Sequence, residues 1–104
     1  MITKYENFCA ICGTTKNVRT HHCIFGRGLR ELADTDSLTL PVCDTCHNMG
    51  RDSIHGNSVS EKLSKILGQE HYISQWLIKE FDLPSDTRDM AIESFRKRYG
   101  RSYV

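Results

Sequence analysis

Two Cys-x-x-Cys pairs, Cys9/Cys12 and Cys43/Cys46, stand 30 residues apart in a chain of 104. In a tetrahedral zinc site each thiolate must come within about 2.3 Å of the ion, so this pattern pulls two distant segments together before any packing is considered. A disulfide framework fits the spacing less well than thiolate coordination does. Redox Cys-x-x-Cys chemistry is the rival, but two copies without a βαβ pattern around either argue against it. Zinc closed by four thiolates has no open position for water, so the expected site is structural. The fifth cysteine, Cys23, reads as a small buried apolar residue.

A staple of this kind suits the chain's size. Hydrophobic residues make up 38% and aromatic residues 9% of it, enough for one domain with a modest core. The first residues, Met1 to Asn7, are polar and lack the apolar centre of a signal peptide, and no run approaches the ~18 apolar residues that span a bilayer. The expectation is a reducing, cytoplasmic setting with no membrane partner. Net charge is only +1, yet Lys4, Lys16, Arg19, Arg27 and Arg30 crowd the first part and Arg96, Lys97, Arg98 and Arg101 the last. Such clusters either form a local face for phosphate or are solvated surface.

Phe8 to Gly13 reads as a zinc knuckle, with Gly13 supplying the permissive backbone after the second ligand. Val18 to Ile24 is short and rich in β-branched residues and is assigned to a strand, where His21 and His22 point to opposite faces. Phe25 to Ser37 reads as a long irregular connection, whose Gly26-Arg27-Gly28 can approach a phosphate or simply forms a surface loop. Ser37 to Val42 makes the second strand, antiparallel to the first, with Pro41 suited to an edge. A short helix is expected from about Asp44 to Met49 or Arg51, and a turn-rich loop over Arg51 to Asn57.

Three short helices follow. Ser58 with Glu61 forms a capping box, and Val59, Leu63, Ile66 and Leu67 make an apolar stripe that Gly68 ends. Tyr72, Ile73, Trp76, Leu77 and Phe81 form a second stripe, stopped by Leu83-Pro84. Asp86 or Ser85 caps the last helix, whose stripe of Ala91, Ile92, Phe95 and Tyr99 is closed by Gly100. The expected organisation is a zinc-stapled core over residues 1–57 and a helical extension over 58–104, with Trp76 buried.

Three histidines carry the chemistry. Phosphodiester hydrolysis assisted by a metal needs a cation to stabilise developing negative charge and a base with a near-neutral pKa, and histidine serves both needs. His21 and His22 on the strand and His47 directly after Cys46 are placed to meet at one site. His55, eight residues beyond His47, is a further ligand or a phosphate contact. Arg27, Arg30 and Arg51 are, by position, the side chains available to hold a scissile phosphate.

From Cys9 to about Asn57 the chain resembles the HNH endonucleases of the His-Me finger (ββα-metal) superfamily. Their zinc-bearing members read Cys-x-x-Cys, then His-His or Asp-His on a strand, then Cys-x-x-Cys-His. The resemblance implies an α+β fold with a ββα-metal core, His22 as general base, and His21 and His47 as ligands of a catalytic Mg²⁺ or Mn²⁺, or of a second Zn²⁺. It also implies DNA as substrate, duplex or branched; the chain's small size suggests a homodimer where both strands are cut. The tail Phe95 to Tyr103 is similar to that of small phage and prophage HNH proteins, which implies a bacterial host cytoplasm. One position departs from the pattern: Ser37 precedes Leu38 where the family carries the asparagine that braces the loop. Two other classes fit part of the pattern. One is a non-catalytic zinc-knuckle module that binds nucleic acid through its basic ends; the other is an adaptor whose helices from Ser58 onward bind a protein.

Overall fold

The two β-branched runs pair as expected. In the computed structural model, which describes residues 1–79 and 87–104, β1 (Val18–His22) lies antiparallel to β2 (Thr39–Cys43), with His21 opposite Leu40 and His22 opposite Thr39. Every residue of β2 is buried. The N-terminal segment covers the strand's other edge, where Ile2 N–H donates to the Thr39 carbonyl at 2.7 Å and Ala10 N–H to the Pro41 carbonyl at 2.8 Å. Residue 41 therefore turns its backbone groups away from β1, and proline's missing N–H costs the ladder nothing.

The connection between the strands is not irregular. Leu29–Thr35 forms a two-turn helix, α1, entered through Gly28 at φ 78°. Leu29, Leu32 and Ala33 fall at i, i+3 and i+4 among good helix formers, and all three join the core. The chain leaves α1 through Ser37 in the left-handed region, φ 61°. Asp36 faces the C-terminal helix, where its carboxylate accepts from Arg98 at 2.6 and 3.0 Å and from the Tyr99 hydroxyl at 2.6 Å. The segment is thus braced by its own helix and by Asp36.

Beyond β2 a single π-helical turn spans Thr45–Met49, closed by Gly50 N–H on the Thr45 carbonyl at 2.8 Å. Next comes α2 (Ser58–Lys79), 22 residues long. Its cap is Asn57, not Ser58: the Asn57 side-chain oxygen accepts from Val59 N–H at 2.9 Å and Ser60 N–H at 3.2 Å. Gly68 does not end this helix, which runs through it. A Cβ at Gly68 would stand 2.9 Å from Cys23 Cβ and 3.1 Å from Ile24 Cδ1. Glycine is what lets α2 lie this close to the end of β1.

That crossing also reverses the expected face. Ser64, Gly68, Gln69 and Ile73 are buried, while Val59, Leu63 and Leu67 of the anticipated stripe face solvent, as does Ile78. Trp76 is half-buried. The last helix, α3 (Thr87–Tyr99), packs as read, with Ala91, Phe95 and Tyr99 inward and Gly100 reversing the chain at φ 85°. Two helices, not three, follow residue 57 among the described residues; Phe81, Leu83-Pro84 and the Ser85 or Asp86 cap lie outside them.

Two buried clusters meet at consecutive residues of the chain. Cys9, Cys23, Leu40, Val42, Cys43 and Ile54 form one, under the sheet. Ile24, Ala33, Leu38, Phe95 and Tyr99 form the other, between α1 and α3, with Tyr72 of α2 against it. The whole is a small α+β domain, and among the described residues no helix is long and apolar enough to cross a membrane.

Candidate metal centre

The four cysteines come together. Their sulfurs all lie within 4.8 Å of one another, and Cys12 Sγ is 3.7 Å from Cys43 Sγ. Bonds of about 2.3 Å in a tetrahedron imply sulfur–sulfur edges of about 3.8 Å, so this donor set could hold an ion such as zinc. The two knuckle thiols differ: Cys12 is raised, the Thr14 N–H being outweighed by the Cys43 sulfur, burial and the Cys9 sulfur, whereas Cys9 is lowered. Burial works against charge on Cys9, but the N–H groups of Cys12, Cys43 and Ile11 outweigh it and bring that thiol down to about 6. Burial and the neighbouring sulfurs push Cys46 the other way. Four crowded thiols do not ionise together without a cation among them. Cys23 stands apart, fully buried on the sheet side of Gly68, with its thiol pushed up to about 12 by burial.

A second group forms at the end of β1. Ring nitrogens of His21, His47 and His55 also lie within 4.8 Å of one another, and the Nε2 atoms of His47 and His55 are 3.0 Å apart. His55 reaches this place because its loop folds back along the π turn. Ile54 N–H donates to the Cys46 carbonyl and His55 N–H to the His47 carbonyl, both at 2.9 Å. Gly56 makes the return possible, since a Cβ there would sit 2.5 Å from Ser53 Oγ and 2.9 Å from the Gly50 carbonyl. His47 and Cys46 are neighbours in one turn, so a residue of each cluster rides on the same piece of backbone.

His21 is 2% exposed. Burial, then His47, His55, His22 and Arg30, drive its pKa down to about 3, so it stays neutral, the form that binds a metal. His47 is lowered for the same reasons in the same order, burial and then His55. Ser64 Oγ lies 2.8 Å from His21 Nε2 and donates to the Cys23 carbonyl at 3.5 Å. With its proton directed there, Ser64 would accept from Nε2–H and leave the His21 lone pair on Nδ1.

His22 turns to the other side, where its Nε2 is 2.8 Å from Asp34 Oδ1 of α1. Both histidines nevertheless border one pocket of about 190 Å³, with Thr20, Phe25, Arg30, His47 and His55. Arg30 is the one candidate arginine on this pocket; Arg27 and Arg51 are exposed and do not line it. Larger hollows beside Tyr72 and Trp76 hold Asp36 and Arg98, already bonded to each other. His71 packs on Gln75, away from the cluster.

Two site residues escaped the sequence reading. Ser64 sits on the face of α2 opposite the apolar stripe, and Asp34 falls in a segment whose glycines suggest an irregular loop. A helical reading of Leu29, Leu32 and Ala33 would have exposed Asp34 as a neighbour of β1. Comparison with protein-family models, curated proteins and solved structures finds no match for this chain.

Proposed function

We propose that this protein is a metal-dependent endonuclease of the HNH type, acting on DNA phosphodiester bonds through a ββα-metal core made of β1, β2 and the π turn. One observation carries the reading: His21, His47 and His55, drawn from a strand, a turn and a loop, converge on a pocket that His22 and Arg30 also border.

In this reading His21, through Nδ1, and His47 and His55 hold the cation. When bound, it supplies positive charge to the phosphate and to the departing oxygen. An all-imidazole donor set suits Zn²⁺ better than Mg²⁺ or Mn²⁺, which favour oxygen ligands. His22 gives its Nε2–H to Asp34, so Nδ1 is free to take the proton of the attacking water as the new O–P bond forms and the bond to the leaving oxygen breaks. Arg30 is the cation placed to hold a non-bridging phosphate oxygen. The four-cysteine zinc is structural and fixes the turn that carries His47.

Nicking of supercoiled plasmid by purified protein tests the reading, with Zn²⁺, Mn²⁺ or Mg²⁺ each added to protein that retains its cysteine-bound zinc. Cleavage that needs added metal and is lost in His22→Ala and His55→Ala, with zinc content and fold unchanged, is the expected result. Cleavage that persists in His22→Ala removes the base from the scheme, and no cleavage of plasmid, branched or single-stranded DNA replaces the nuclease with a zinc-stapled binding module.

A further inference from the structure

We propose that the groove between the first turns of α2 and residues 101–104, lined by Lys62, Lys65 and Arg101 around Tyr103, binds a backbone phosphate of the DNA strand a few nucleotides from the cleaved bond. The proposal rests on the nuclease reading for the identity of the strand, but the groove itself is built from other residues.

Three features point to a ligand. First, cationic side chains outnumber acidic ones: Lys62, Lys65 and Arg101 line the groove with the chain-end residue Val104 and the carboxylate of Glu61. Lys65 Nζ is 3.1 Å from that carboxylate, an i, i+4 pair of the kind that salt screens and a phosphate can replace. Second, the cations are positioned. Lys65 Nζ lies 5.8 Å from the centre of the Tyr103 ring and the Arg101 guanidinium 4.8 Å from it. The tail is fixed in turn by Gln69, which is fully buried and uses both ends of its amide there. It accepts from Tyr103 N–H at 2.6 Å and donates to Ser102 Oγ at 2.9 Å. A buried amide committed in this way holds two tail residues in register, which solvated surface charge does not require.

Third, the groove adjoins the histidine pocket. Lys65 Nζ stands 4.7 Å over the Phe25 ring, and that ring's centre is 4.9 Å from His55. The ammonium is then at most about 10 Å from the His55 ring, a span of no more than about three nucleotides at about 3.4 Å of rise along one strand. Phe25 walls the histidine pocket and carries Lys65 of the groove over its ring. A strand whose scissile phosphate lies in the histidine pocket runs past it onto Lys65 and Arg101. Because cations already lie over Tyr103, that ring serves as their platform and not as a surface for stacking a base.

The test is the salt dependence of DNA binding, read by fluorescence anisotropy with His22→Ala protein on a labelled 20-mer, duplex and single-stranded, between 50 and 200 mM salt. Each phosphate contact contributes about 0.9 to the slope of log K against log salt on duplex and about 0.7 on a single strand. Adding Lys65→Met and Arg101→Gln together should lower the slope by about one to two and weaken binding roughly tenfold at low salt. Arg88→Gln, which removes a cation that Glu70 already holds, should leave the slope alone. Methionine keeps an apolar stem on Phe25; should that variant lose thermal stability, Arg101→Gln alone at its exposed position carries the test. An unchanged slope in the double variant, or no DNA binding at all, overturns the groove. If the slope falls but wild type cleaves nothing, the nuclease reading fails and the groove stands; if wild type cleaves and the slope does not change, the reverse holds.

Discussion

The two halves of this domain are built from different residues. Under the sheet the core is small, built from Cys9, Cys23, Cys43, Leu40, Val42 and Ile54, and its aliphatic residues alone make a thin core. Between α1 and α3 the core is aromatic: Phe95 stacks on Tyr99 at 4.4 Å and meets Tyr72 edge-on at 5.3 Å. One half gathers four thiols that could share an ion, the other removes aromatic area from water. The clustered histidines belong to the first half, while the Ser64 hydroxyl beside His21 comes from α2.

The sharpest way to break this contrast is to remove the metal from the thiols. Cys46→Ser, or exhaustive chelation, should abolish the fold around β2 and the π turn, an effect on the scale of the about 10–16 kcal/mol that zinc contributes in small zinc-folded peptides. Circular dichroism with zinc analysis checks it, and a variant that keeps native thermal unfolding without zinc would contradict it. Phe95→Ala strikes the other half, with an expected loss of about 3–5 kcal/mol in denaturant unfolding and zinc stoichiometry retained.

Acid should separate the halves a third way. Folded His21 resists protonation until about pH 3, whereas in the unfolded chain it takes up a proton near 6.5. Its contribution to stability is therefore complete above pH 6.5 and is lost as pH falls toward 3, and His21→Gln should flatten that limb of the stability curve. Ser64→Ala tests the link between the halves: losing the partner of Nε2 should weaken metal affinity at the histidine cluster by about 10–100-fold, measured by calorimetry with zinc already on the thiols. The smallest effect belongs to Gly68→Ala. Alanine improves helix propensity by ~1 kcal/mol, but its Cβ would meet Cys23 at 2.9 Å, so a net loss of about 1 kcal/mol is expected from overpacking.

The same contrast explains how much was legible in the sequence. Ligand chemistry depends on residue type and short spacing, so the four-cysteine cluster and the strand pair could be read directly from Cys9, Cys12, Cys43, Cys46 and the β-branched runs. The pairing of His47 with His55 depended on a backbone return around Gly50 and Gly56 that spacing does not encode. Packing depends on which face meets which. Val59, Leu63, Ile66 and Leu67 make a regular stripe, yet the close crossing at Gly68 selected the face with Ser64 and Gln69 instead. Gly68 read as a stop because helix propensity is local, while the reason for glycine lies 45 residues away at Cys23. The helix over Leu29–Thr35 was missed for a different cause, since glycines at its entrance masked a periodicity only two turns long.

Because Cys46 and His47 share one peptide bond in the π turn, ions bound at the two clusters would be thermodynamically linked. An ion that settles the thiols narrows the conformations open to the His47 ring, so the imidazoles bind their own ion with less ordering left to do. Linkage is reciprocal, so a cation on the histidines tightens the hold of the cysteines by the same factor. A cell that withdraws zinc from the thiols would thereby loosen the histidine site as well, without touching a single imidazole.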